Sequence, residues 1–443
     1  MMLGGIMGPL DGGIVNTVLP TIANFFEAEI AVAQWVPMAC LLAIGTSLLF
    51  YGRLGDVWGY KKVYLCGLIG FVVTSVLCGL SPSIYWLIIF RAFQGLAGGM
   101  MMSIAYAIIV RAFPDAERGK ALGINAIMVA LGLAIGPLLG GFITAQLGWR
   151  FVFYINVPIG IAAVIWGSRV IPEEKGEPGR LDIPGAALAF LGLSAFLLLV
   201  NRFHRWDTLS ISFICIFVLC ALGFIFRERS TAQPMLHLSL FSNRLFSLAN
   251  SSALLNFMSQ YILVFVTPFY LQRALHYTPD KVGLVMTSFP IVVLAVAPFA
   301  GSLSDRIGSR FLSCAGAAVC ALSLVLLSQL EVSQGPASVA WRLGLFGLGT
   351  GLFQSPNNST VMGNAPKAHL GMASGVLATM RTVGMVMGIA AAGAVLYSFV
   401  PSEILAQPYL EASQAASFLS GLKYAYITGA VLTGIASITS VIR

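Results

Sequence analysis

A carboxylate stands inside an apolar run at Leu10-Asp11-Gly12-Gly13-Ile14-Val15. It lies about ten residues, or ~15 Å of helix, from the near end of that run. No other acid can be placed so deep. Burial disfavours the charged form of a carboxyl, so an acid here is suited to taking up and releasing a proton. The competing reading is a structural hydrogen bond to a neighbouring helix. Two cations share such surroundings, Arg91 and Arg381. An intramembrane Arg costs roughly 3 kcal/mol on insertion scales unless paired or wet. For Arg91 the partners on offer are Asp11, a backbone carbonyl or water. No acid in the second half is placed to pair with Arg381, which reads as structural. Gln94 follows Arg91 by one helical turn and shares its face.

The elements that must position these groups are membrane spans. Of 443 residues, 58% are hydrophobic and 9% charged, against roughly 25% charged in a soluble chain. Apolar runs of span length alternate with short polar stretches, and helix is the open-chain structure that satisfies its own backbone in lipid. Fourteen spans are expected, near 3–26, 32–51, 63–80, 84–111, 121–145, 151–171, 183–201, 209–227, 245–272, 280–300, 311–330, 337–358, 371–399 and 419–441. The first reads as a retained span, because no basic n-region precedes it. The net charge of +8 does not point to nucleic acid, since the basic residues fall in short hinges rather than along one face. Most of them, Arg53, Lys61, Lys62, Arg111 and Arg118 among them, lie on the side of the N-terminus. Fewer, including Arg150, Arg273 and Arg342, fall in loops on the other side. That bias predicts cytoplasmic termini in a cell inner membrane. The seven cysteines sit in or beside apolar runs and read as small core residues rather than metal ligands. No phosphate-binding loop or nucleophile elbow occurs. Neither an enzyme nor a cofactor is therefore expected.

The chain repeats itself. Gly52, Leu54, Asp56 and Gly59 recur as Gly301, Leu303, Asp305 and Gly308, and Gly123, Met128, Gly132 and Gly136 recur as Gly375, Met380, Gly384 and Gly388. Each match holds one constant offset. Two related six-span bundles follow, 1–171 and 245–443, with two inserted spans and their loops over 172–244. The four hinge glycines are expected to permit tight turns. The hinges read as gating latches: Asp56 pairing with Arg111 or Arg118, and Asp305 with Arg306, Arg310 or a helix N-terminus. The fifth span carries Gly132, Gly136, Pro137, Gly140 and Gly141, a smooth seam for close helix approach with a proline kink.

Five segments together resemble the major facilitator superfamily, specifically its fourteen-span drug:proton antiporter branch. They are Leu10 to Pro20, the hinge Gly52 to Lys62, Arg91-Ala92-Phe93-Gln94-Gly95, Gly132 to Gly141, and Trp149 to Gly160. The hinge departs from the pattern at Val57 and Tyr60, where basic residues are usual. The resemblance implies an all-helical fold, a proton site at Asp11, an Arg91 that modulates proton release, and export rather than import from the fifth-span motif. Candidate cavity residues are Asn16, Gln34, Trp35, Gln94, Asn256, Gln260, Gln354, Asn357 and Asn358, with Tyr261, Phe265 and Phe353 as apolar walls. An apolar chamber with a few polar groups suits varied amphipathic ligands. The expected function is proton-coupled export of amphipathic small molecules by a monomer in the bilayer. The alternatives are export of one dedicated metabolite or lipid, and a membrane sensor that does not transport.

Overall fold

Helix ends are set by local chemistry. Asn243 accepts from the backbone N–H groups of Leu245 and Phe246 and opens one helix. Asp207 accepts from Ser210 N and opens another. Glu411 and Gln414 form a reciprocal capping box. Pro279 and Pro336 occupy first-turn positions, where a missing N–H costs nothing. In a computed structural model of the chain, residues 2–112, 115–173, 182–201, 207–231, 238–366, 370–405, 407 and 410–442 are described.

The long helices among them are α1 (Met2–Phe25), α2 (Trp35–Trp58), α3 (Tyr60–Gly79), α4 (Ile84–Ala112), α5 (Asp115–Leu147), α6 (Asn156–Val170), α7 (Ile183–Asn201), α8 (Thr208–Ser230), α9 (Arg244–Phe269), α10 (Pro279–Ile307), α11 (Ser309–Leu327), α12 (Pro336–Gly363), α13 (Leu370–Phe399) and α14 (Ala412–Val441). Short helical pieces at Ile30–Ala33, Phe151–Tyr154 and Ser402–Leu405 join them, and a π turn, Tyr270–Ala274, extends α9. Twelve helical segments among the described residues are long and apolar enough to cross a membrane. The two long helices that miss that mark are α1 and α12. These hold Asp11 and Asn16, and Arg342, Gln354, Asn357 and Asn358. Polar residues that face inward lower the hydropathy by which a span is recognised.

Helices α1–α6 pack among themselves, as do α9–α14. The repeats in sequence are repeats in packing. Gly132 and Gly136 lie against the backbone of α1 at Ile6 and Leu10; their counterparts Gly384 and Gly388 lie against the backbone of α9 at Leu254 and Met258. The two sets of helices meet along α5–α10 and α2–α13. Helix α7 pairs with α8 and also packs on both α2 and α13. Asp182, before α7, pairs with Arg227 of α8 at 3.1 Å. The outer side chains of α8, such as Leu219, Leu222 and Phe226, are exposed, as suits a surface bathed in lipid.

The expectation for the hinge glycines needs correction. Gly52 lies inside α2 and Gly301 inside α10, so neither makes a turn. Only Gly59 and Gly308 do, with matching dihedrals of φ 92°, ψ 134° and φ 92°, ψ 138°. Side chains rarely adopt that conformation, and holding one there costs ~1–3 kcal/mol. A Cβ on Gly308 or on Gly52 would meet no atom within 4 Å. Gly308→Ala should therefore lower the thermal midpoint in detergent, while Gly52→Ala should leave it unchanged or raise it, since Ala is the better helix former by ~1 kcal/mol. Equal midpoints for the two variants would show that the turn does not require its positive φ.

Candidate functional site

Asp11 sits on α1 with both oxygens engaged. Arg91 Nη1 of α4 donates to Oδ2 at 2.5 Å. Asn156 Nδ2 of α6 donates to Oδ1 at 3.0 Å, and Gln94 Nε2 approaches the same oxygen at 3.4 Å. Arg91 also donates through Nη1 to Gln94 Oε1 at 2.7 Å and through Nε to the Val36 carbonyl at 3.3 Å. Gln94 Nε2 reaches Ser75 Oγ of α3 at 2.8 Å. The guanidinium carbon lies 5.9 Å from the centre of the Phe153 ring. Asp11 and Arg91 are each 2% exposed, and Gln94, Asn156 and Ser75 are fully buried. Asp11 thus faces neither lipid nor bulk solvent. Each charge is desolvated, and each is supported because the other is there.

Gln94, expected in a ligand cavity, belongs instead to this network. Its i+3 spacing from Arg91 puts both side chains on the α4 face that meets α1 and α3. Two members are absent from the sequence expectations. Asn156 is carried in the Ile155-Asn156-Val157-Pro158 segment, where an amide inside an apolar run was the available signal. Ser75 gave none, because an isolated hydroxyl in a span is commonplace.

The fifth-span motif presents two faces. Gly132, Gly136 and Gly140 let α5 lie directly on α1. A Cβ on Gly136 would come within 3.0 Å of the Leu10 carbonyl, and one on Gly140 within 3.0 Å of Ile14 Cα. Gly141 turns to the opposite set of helices. A Cβ there would strike the Pro279 carbonyl and come within 3.0 Å of Gly283 Cα. The contact is reciprocal, since a Cβ on Gly283 would strike the Pro137 carbonyl. Pro137, which removes one backbone donor, sits at this crossing. One helix therefore touches the helix of Asp11 on one side and the other half of the molecule on the other.

Among the described residues, the hydrogen bonds joining α1–α6 and their connections to α9–α14 lie at the end opposite the hinges. Gln272 Nε2 donates to Thr21 Oγ1 at 2.7 Å, Arg273 Nη2 to Asn24 Oδ1 at 3.3 Å, and Ala31 N to the Tyr397 hydroxyl at 3.0 Å. Arg273 Nη1 also caps the Leu405 carbonyl at 2.7 Å. Assigned to a loop from the sequence, Arg273 is in fact 1% exposed on the π turn. The molecule is closed at that end.

The remaining candidates are distributed. Asn16 Nδ2 binds the Gly12 carbonyl at 2.8 Å. Gln354 Nε2 reaches Gln260 Oε1 at 3.4 Å, and Asn357 Nδ2 reaches the Ala249 carbonyl at 3.2 Å. Asn256 Nδ2 points at Cys320 Sγ, 4.0 Å away, and Gln34 packs on Gly393. The oxygens Asn16 Oδ1, Gln34 Oε1 and Asn256 Oδ1 are buried with no hydrogen-bond partner among the described residues. Trp35 packs against the main apolar core, and Tyr261, Phe265 and Phe353 are buried. Arg381 Nη2 donates to Asn358 Oδ1 at 2.5 Å and its guanidinium lies over the Phe257 ring at 5.5 Å. At the hinge, Asp56 pairs with Arg53 at 3.4 Å and accepts from the Tyr60 hydroxyl. Arg306 is exposed. The side chains of Arg111, Arg118 and Asp305 lie outside the described residues.

The model of the Major Facilitator Superfamily matches residues 1–249 and again 249–442. The chain is 35% identical to the riboflavin transporter RibZ of Clostridioides difficile over 88% of its own length and 85% of the relative's. It is 32% identical to the multidrug resistance protein Stp of Mycobacterium tuberculosis, over 92% and 76% respectively. Among solved structures, a bacterial homologue of the human lysosomal transporter Spinster, inward-facing and unoccupied, superposes with a TM-score of 0.68 over 100% of this chain and 95% of that one, at 15% identity. The chain belongs to the Major Facilitator Superfamily and is a multi-pass membrane transporter of small molecules.

Proposed function

We propose that this transporter is a proton-driven exporter of amphipathic small molecules, a multidrug efflux antiporter working by alternating access. The observation that carries the reading is the Asp11–Arg91 pair, sequestered among α1, α3, α4 and α6. In the proposal all fourteen long helices cross a cell inner membrane, both termini are cytoplasmic, and the protein works as a monomer. Residues 1–171 and 245–443 form the two rocking halves, and 172–244 adds two helices beside them. The closed end then faces outward, and the ionised, paired Asp11 belongs to the inward-open state. When the outer side opens, a proton on Asp11 removes the charge that holds Arg91. The α1 helix is freed to shift, and α5, lying on α1, passes the shift to the Gly141–Gly283 crossing. The oxygens on Asn16, Gln34 and Asn256 that lack a partner among the described residues offer acceptors to a ligand. Asp56, Gly59, Arg111, Arg118, Asp305 and Arg306 latch the hinge side in the outward-open state.

The likeness to a riboflavin transporter favours a second reading, export of one dedicated metabolite. Proteoliposomes with an imposed pH gradient separate the two. Multidrug antiport predicts gradient-driven movement of ethidium and of chemically unrelated dyes, stopped by an uncoupler. Movement of riboflavin alone would favour the dedicated exporter, and movement indifferent to the gradient would remove proton coupling.

A further inference from the structure

We infer that Asn156 is an ambivalent positioning partner of Asp11: it donates to the carboxylate and, once its amide turns over, accepts from the protonated carboxyl. The inference rests on the proton-coupling role proposed for Asp11.

Every contact the structure gives Asp11 is with a donor: Arg91 on Oδ2, and Asn156 and Gln94 on Oδ1. That shell suits an ionised carboxylate, which only accepts. A protonated carboxyl carries one O–H and needs an acceptor, and a buried O–H without one is penalised about tenfold or more. Gln94 Oε1 is already taken by Arg91 at 2.7 Å and by the Cys78 thiol at 3.7 Å. Ser75 Oγ is held by Gln94 Nε2 at 2.8 Å. Among the described residues, the other titratable groups facing Asp11 are the Cys40 thiol of α2 and the Cys78 thiol of α3, with Arg91 the one cation. Thiol sulfur is a weak acceptor.

Asn156 differs from these. Its Nδ2 holds Asp11, while its Oδ1 is buried with no hydrogen-bond partner among the described residues. The two ends of a side-chain amide have nearly the same shape, so half a turn about its terminal bond replaces the donor with an acceptor without repacking. Gln94 cannot do this without giving up both Arg91 and Ser75. Asn156 gives up only its bond to Asp11 Oδ1, which the turned amide replaces with one it accepts. It also stands at the first residue of α6, and Ile155 before it is itself helical, with φ −60° and ψ −28°. The uptake step moves one proton from water to a carboxylate oxygen of Asp11 and turns one amide.

The test compares wild type, Asp11→Asn, Asn156→Leu and Asn156→Ser in proteoliposomes. Infrared difference spectra between acid and neutral pH identify the carboxyl C=O band that Asp11→Asn removes. In Asn156→Leu this band should move to higher wavenumber, as for an acid that has lost a hydrogen bond, and pH-driven ethidium efflux should fall about tenfold or more. Asn156→Ser, whose hydroxyl both donates and accepts, should stay within about threefold of wild type. A band unmoved in Asn156→Leu overturns the inference. So does a Ser variant that melts normally yet is as slow as Leu. Normal Asn156→Leu beside inactive Asp11→Asn also overturns it and leaves the coupling role standing, whereas gradient-driven efflux surviving in Asp11→Asn removes the coupling role itself.

Discussion

Asp11→Asn is expected to abolish pH-driven efflux and, unexpectedly for a neutral isostere, to destabilise the protein. The amide cannot ionise, so the proposed proton cycle stops. It also leaves the Arg91 guanidinium without its counter-charge at a site 2% exposed. Removing one member of a buried pair costs ~3–5 kcal/mol. The double variant Asp11→Asn/Arg91→Gln should recover much of that loss, because both charges are gone and the amides can pair. It should not recover transport. Thermal melting of the purified variants separates the two effects, and ethidium efflux under a pH gradient measures the second. Gradient-driven transport in the double variant would show that neither charge carries the proton. A single variant as stable as wild type would show that Arg91 is satisfied without Asp11, through the Val36 carbonyl and Gln94.

Gly283→Val should be the second most damaging change, at a position with no polar atom in its side chain. The α5–α10 crossing is closed backbone to backbone, with Gly141 and Gly283 each filling the space the other's side chain would need. Overpacking such a contact costs ~1–3 kcal/mol. The closed end would then open, and efflux should fall about tenfold or more, at ~1.4 kcal/mol per decade. Spin labels at the exposed positions Glu27 and Thr278, in a cysteine-depleted background, should report a longer separation in the variant. Gly8→Ala, where a Cβ meets no atom within 4 Å, serves as the neutral control. Wild-type separation and wild-type efflux together in Gly283→Val would mean that the crossing is not where the halves close.

What the sequence conveyed depended on charge and repetition. Asp11 and Arg91 were legible because a charged residue in a span is too costly to be incidental. Asn156 and Ser75 were not, since neutral polar residues are tolerated in spans for many reasons. The repeated hinge was visible, but a repeat cannot tell a glycine inside a helix from one at a turn, so Gly52 and Gly301 were read like Gly59 and Gly308. Boundaries erred where helices outrun the apolar stretch. Helix α5 starts at Asp115 and α14 at Ala412, each earlier than the expected 121 and 419, because hydropathy marks only the part of a helix that lipid would cover. Arg273 was misplaced for the same reason. Its π turn prolongs α9 past the apolar run and folds the cation inward.

The hairpin α7–α8 makes the two flanks of the molecule meet lipid differently. A body with two-fold pseudo-symmetry has two lateral seams, α2 with α13 and α5 with α10. Helix α7 lies over the first, while along the second Leu138, Phe142, Leu284 and Ile291 are exposed. A helix therefore covers one flank while the other meets lipid directly, so the molecule is one-sided in the plane of the bilayer although its halves are otherwise alike.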